Sequence, residues 1–242
     1  MTQSTPNPIV DNRSVDPRWT DLYKIGGLTV IGLVVLIILG GIAFAIWPYL
    51  PGDASTEEIF QAIQDDRFGG LMALDFLLFV SNLLGILLFL ALYVSLKRVN
   101  ESYALIALAL GLVGVAAIVP ARPMSELLSL SDLYASAATD AAESQYLAAG
   151  EAILAFFNGT AWSVNTFLGA LSFLTSSLLM LRSGIFSKAT AYVGIISNLA
   201  VCGFFVPVIG TVLLFVSLPG YLIWYILLAP RFFQLARDTS GT

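Results

Sequence analysis

The chain has 242 residues, of which 58% are hydrophobic and only 11% charged, with a mean hydropathy of +0.88. Soluble domains carry about 25% charged residues, so this composition describes a chain whose solvent is lipid, and it leaves no separate soluble domain. The net charge of −5 argues against nucleic-acid binding, which leans on clustered Lys and Arg.

There is no histidine and one cysteine, Cys202. An intrachain disulfide, a histidine-bearing zinc set, histidine-ligated haem and a Cys/His nucleophile pair are all unavailable. No metal site and no cofactor are expected.

In chain order, residues 1–22 are polar and rich in turn formers, without the basic start and apolar core of a cleavable leader. They read as a flexible cytoplasmic tail. A helical span needs about 20 apolar residues, and such runs occur six times, near residues 24–46, 70–96, 103–122, 151–181, 189–206 and 211–230. The expected fold class is all-α: a polytopic bundle of six transmembrane helices over residues 23–231, followed by a second cytoplasmic tail at 232–242.

Six spans put both termini on one side of the membrane. Arg13, Arg18, Lys24, Lys97, Arg98, Arg182, Lys188, Arg231 and Arg237 fall on that side, and Arg67 and Arg122 on the other. Basic residues favour the cytoplasmic side, so the expectation is a multi-pass protein of the inner or plasma membrane with both ends cytoplasmic.

The longer connections, about 47–69 and 123–150, are then external. In the first, Ser55 followed by Glu58 forms a capping-box pattern, and Ile59, Phe60 and Ile63 supply an apolar stripe, predicting a short amphipathic helix. In the second, Asp140 with Glu143 looks like another helix start, and no proline interrupts the pattern through Leu181. One projecting helix of about forty residues, about 60 Å long at 1.5 Å per residue, is expected, with Gly150 and Gly159 as places for a bend. Pro219-Gly220 falls inside the last span and predicts a packing kink there. The glycine pairs of "KIGGL" and "ILGGI" read as helix-packing positions.

From about Leu130 onward, the segments "LSDLYASAATDAAESQYLAAGEAILAFFNGTAW", "LMLRSGIFSKATAYVGIISNL" and "LIWYILLAPRFFQL" resemble the bacterial and archaeal integral-membrane family catalogued as domain of unknown function 4386. The earlier "ALYVSLKRVNESYALIALALGLVG" resembles its second and third helices. The resemblance lies in layout, carries no catalytic motif, and implies the six-helix fold. No functional residue is transferred from it.

Ionisable side chains within spans are costly and usually face partners. Asp75 lies near the external end of helix two, with Asn82 seven residues further along the same face, and Arg122 ends helix three at a comparable depth. Helix four carries Glu151, Asn158, Trp162, Asn165, Gly169, Ser172 and Ser176 on one stripe, and helix three a small face at Ala104, Ala107, Gly111 and Gly114. The candidate intramembrane cluster is therefore Asp75, Asn82, Arg122, Glu151, Asn158, Trp162 and Asn165.

Two readings follow. In the first, these groups are struts that set helix neighbours, and the protein is a non-enzymatic structural or regulatory membrane component. In the second, they line a polar site open to the outside between helices two, three and four, and the protein carries a small solute or protons. A carrier should hold a cavity reaching Asp75, whereas struts alone should leave only packing defects. Without histidine or a lysine deep in a span, no activated nucleophile is available, so an enzyme is not expected. The partner is the lipid bilayer; the small faces of helices one and three offer a route to homo-oligomers, and any small-molecule ligand is unspecified.

Overall fold

The computed structural model describes residues 16–240, excepting the side chains of residues 211 and 240. In lipid every backbone polar group must be satisfied within the protein, which leaves helices as the way for these apolar segments to cross. Ten α-helices form among the described residues. They are α1 (Thr20–Ile46), α2 (Thr56–Asp65), α3 (Arg67–Ala73), α4 (Phe76–Leu96), α5 (Glu101–Ile118), α6 (Met124–Ala135), α7 (Asp140–Leu154), α8 (Thr160–Ser183), α9 (Lys188–Cys202) and α10 (Gly210–Ser240). The six long ones, α1, α4, α5, α8, α9 and α10, are apolar enough to cross a membrane.

The long helices form a ring. Each packs on its neighbour in the order α1, α4, α5, α8, α9, α10, and α10 returns to α1, while α4 also touches α8 across the middle. Short connections at 97–100 and 184–187 lie at one end of the ring with the described chain termini, here the terminal end. The remaining helices, α2, α3, α6 and α7, gather at the opposite, cap end.

The terminal half is filled by large side chains, among them Leu88, Leu92, Met180, Trp224, Leu228 and Phe232. Close helix approach there depends on glycine: a Cβ on Gly27 would lie 2.9 Å from the Phe233 ring, and one on Gly194 would collide with Ser177 Oγ and Trp224 Nε1. The Gly26–Gly27 pair thus packs as expected. Gly40 and Gly41 do not, since a Cβ on either would meet nothing within 4 Å.

The cap is a small second core of Ile59, Phe60, Ile63, Leu74, Met124, Leu127 and Phe157. The Ser55–Glu58 capping box is formed in both directions, and α2 turns its apolar stripe onto α6. The Ser131 hydroxyl donates to the Phe60 carbonyl at 3.1 Å, and Arg67 grips Asp132 through two bonds of 3.1 Å.

Several boundaries differ from the sequence reading. The flexible tail expected over residues 1–22 lies outside the described residues as far as residue 15; beyond it, Asp16 caps a 3-10 turn at Pro17–Trp19 that leads into α1. The tail expected at 232–242 instead continues α10 to Ser240 and buries Phe232, Leu235 and Ala236; residues 241–242 are not described. Pro219, where a packing kink is expected, lies inside α10, which stays helical through it. The 123–150 connection contains the additional helix α6.

The two polar helices are each broken. Helix two is interrupted at Asp75, whose backbone is left-handed with φ 68°, a conformation that Asp tolerates better than most residues. The forty-residue helix becomes α7 and α8, separated at 155–159 by turns that end on Gly159. A Cβ on Gly159 would sit 2.9 Å from the Ala155 carbonyl oxygen, so the fold needs glycine there. Thr139, not Asp140, caps α7 by accepting from the Ala142 N–H.

Candidate functional site: a buried arginine clamp beside a central cavity

The two helix breaks face the same guanidinium. Arg122, in the turn after α5, has a side chain only 1% exposed. Its Nη1 donates to the carbonyls of Ala121 and Phe157, each at 2.8 Å, and its Nη2 donates to Asp75 Oδ2 at 3.0 Å. The guanidinium lies 4.5 Å from the Trp162 ring centroid and 5.3 Å from that of Phe157. Burial of an ion pair is tolerated when its members find further hydrogen bonds; here the Phe157 carbonyl is freed by the break between α7 and α8 and the Ala121 carbonyl by the end of α5, while Arg122 Nε is left without a partner. Helix breaks and ion pair therefore stabilise each other.

The remaining candidates divide. Asn165 Nδ2 donates to Asn82 Oδ1 and to the Gly114 carbonyl, both at 2.9 Å, tying α8 to α4 and α5. Asn158 accepts from the Tyr49 hydroxyl and donates to the Pro51 carbonyl, each at 3.1 Å, fastening the segment after α1 to the α7–α8 break. Trp162 stacks under Arg122. Glu151 is exposed on α7, and its carboxylate makes no hydrogen bond or ion pair with the cluster. It is not brought to the site because the break rotates α7 away from the stripe that a continuous helix would have kept. The small face of α5 is buried against the bundle: Gly111 lies under the Phe89 ring, and Ala107 accepts from Ser172 on α8. That face serves contacts within the chain.

Between the clamp and the filled terminal half lies a cavity of about 510 Å³, within the size range of small-molecule sites. Asp75, Asn82 and Asn165 border its cap end, and Phe89, Phe173 and Tyr225 its floor. Arg122 does not line it. Asp75 has one oxygen on Arg122 and a side chain 32% exposed, so its Oδ1 is accessible. Both hydrogens of Asn165 Nδ2 are committed, leaving its Oδ1 as an acceptor. Thr166, also on the wall, is nine-tenths buried and its hydroxyl has no partner among the described residues.

Tyr49, Phe157, Thr166 and Tyr225 belong to the site but were not read from the sequence. Tyr49 sits in an aperiodic loop, Phe157 contributes its carbonyl, and Thr166 lies one residue off the polar stripe. Only Thr166 carried a signal, as a hydroxyl beside Asn165 in a span.

Groups of His, Cys, Asp and Glu able to hold a metal are absent among the described residues. The fold and the clamp define an all-α, six-span membrane protein with a cavity bordered by one member of a buried ion pair, Asp75. The chain belongs to the family described as "Domain of unknown function (DUF4386)", whose match spans residues 25–230. No curated protein and no solved structure matches it.

Proposed function

We propose that this protein binds a small molecule within the membrane, as a carrier, in the cavity that ends at Asp75. The observation that carries the reading is the space itself: about 510 Å³ bordered by a partly exposed carboxylate, where struts alone would leave only packing defects. Arg122 holds Asp75 in place, and the unused acceptors of Asp75 and Asn165 are available to a guest. The location proposed is the plasma membrane with both termini in the cytoplasm, supported by eight basic residues at the terminal end against two at the cap among the described residues.

The structural or regulatory alternative draws support from the Asp75–Arg122 and Asn82–Asn165 bonds, which join helices whether or not anything binds. The two readings separate in a melting assay on protein in nanodiscs, using a panel of alkylamines, fatty acids, amino acids and polyols. The reference is Gly169→Leu, because a Cβ at Gly169 meets nothing within 4 Å and the residue lines the cavity. A ligand at one hundred times its Kd stabilises by about 2.7 kcal/mol, so at least one class should raise Tm in the native protein and not in Gly169→Leu. No shift from any class, or equal shifts in both proteins, would leave the structural reading. Uptake of the active compound into proteoliposomes then tests transport.

A further inference from the structure

Resting on that reading, we propose that the guest is a long-chain amphiphile with a hydrogen-bond-donating, amine-bearing head, which reaches the cavity sideways from the bilayer between the cap halves of α1 and α10.

The route follows from how these two helices meet. At the terminal end they are locked, with Gly26 and Gly27 against Phe232 and Phe233. Toward the cap this contact is lost. Gly40 and Gly41 have no neighbour within 4 Å of an added Cβ, and they line the cavity. Phe44 on α1 and Phe215 on α10 also line the cavity while remaining 54% and 57% exposed. The same side chains thus form the cavity wall and the lipid-facing surface. A gap with that border opens into hydrocarbon, where an aliphatic chain is already dissolved and loses nothing by moving inward.

The chemistry of the head follows from which polar atoms are left unused. At the cavity's cap end these include two acceptors, Asp75 Oδ1 and Asn165 Oδ1. The nearest cation, Arg122, is paired with Asp75 and two carbonyls, keeps only a buried Nε without a partner, and is absent from the wall. An anionic head would meet a carboxylate without a free cation, whereas an ammonium would find a charged acceptor. Below this end the walls are mainly Leu33, Ile37, Leu78, Phe89 and Phe173, which suit a chain, with Tyr225 at the floor.

The experiment is photolabelling in nanodiscs with a long-chain alkylamine carrying a mid-chain diazirine, compared with the matching carboxylic acid. The amine should label cavity-facing peptides of α1, α8 and α10 at least tenfold more than the acid. Gly169→Leu, which adds a side chain on the cavity wall where a Cβ meets nothing within 4 Å, should lose that labelling tenfold, and Asp75→Asn should reduce the preference for amine over acid. Excess unlabelled alkylamine should compete, whereas a short water-soluble amine should not. Equal labelling by amine and acid, or labelling insensitive to Gly169→Leu, would overturn the proposal; competition by the short amine would overturn the bilayer route. If a water-soluble compound shifts Tm through the cavity while the alkylamine does not label it, the binding function stands and this inference falls. If nothing shifts Tm and nothing labels, both fall.

Discussion

Arg122 brings three separate parts of the chain to one point: the Asp75 carboxylate, the Phe157 carbonyl and the Trp162 ring. Removing one partner of a buried pair costs about 3–5 kcal/mol, because the other is left uncompensated. Arg122→Gln should approach that loss and exceed Asp75→Asn, since it also releases two carbonyls. Interhelical polar contacts in membranes reach roughly 1.7 kcal/mol at most. A double-mutant cycle on these two residues, measured by unfolding, should give coupling at or above that upper range; negligible coupling would show that the fold does not use the pair.

Two acids outside the spans also have a pH signature, Asp132 exposed and Asp16 buried. The Arg67 guanidinium beside Asp132 draws its carboxyl below the usual 3.8, with Gln64 adding to the effect against partial burial. At the terminal end, Arg18 draws Asp16 down to about 2. A carboxyl whose pKa is lowered by folding contributes stability that is complete above its ordinary pKa and lost as pH falls toward the folded value. Hydrogen exchange should therefore show α6 and the Pro17–Trp19 turn protected near neutral pH. Their protection should fall as pH drops below about 4, and Arg67→Ala should flatten the response in α6 alone.

At the scale of elements, the glycines report where helices touch and where they surround space. Gly194 has Ser177 and Trp224 in the position of a Cβ, whereas Gly169 has open cavity there. Gly194→Ala should destabilise by about 1–3 kcal/mol through overpacking. Gly169→Ala, in the middle of α8, should instead stabilise by roughly 0.5–1 kcal/mol, because alanine loses less backbone entropy in a helix. Equal losses at the two sites in an unfolding assay would mean that no space lies beside Gly169. The Ser55 cap offers a third check: Ser55→Ala should cost about 0.5–2 kcal/mol, read as loosened protection of α2.

At the scale of the whole molecule, the ring has one filled half and one hollow half, and the hollow half carries the cap. Sidedness belongs to this scale. In a Cys202→Ser background, cysteines at Asp53 and Ser136 on the cap should react with an impermeant reagent in intact cells, while one at Glu101 should react only after the cells are opened. The reverse pattern would invert the proposed orientation and turn the cavity toward the cytoplasmic leaflet.

The sequence by itself determined the solvent, the helical class and the number of crossings, because hydrocarbon thickness and backbone satisfaction act on any apolar run regardless of its neighbours. It also carried the Ser55 capping box and the common depth of Asp75 and Arg122, the first because capping is local, the second because alternating spans place helix ends at one level; that the two residues pair was decided by the tertiary structure. Only the tertiary structure decided that Asp75 and residues 155–159 break their helices. The sequence offered Gly159 as a place for a bend and nothing at Asp75, and it is a distant guanidinium that takes up the Phe157 carbonyl and the Asp75 carboxylate at the two breaks. The same breaks left Glu151 outside the cluster. The cavity, likewise, depends on how far α1 and α10 diverge once their terminal halves are locked, a property of the closed ring and of no single span.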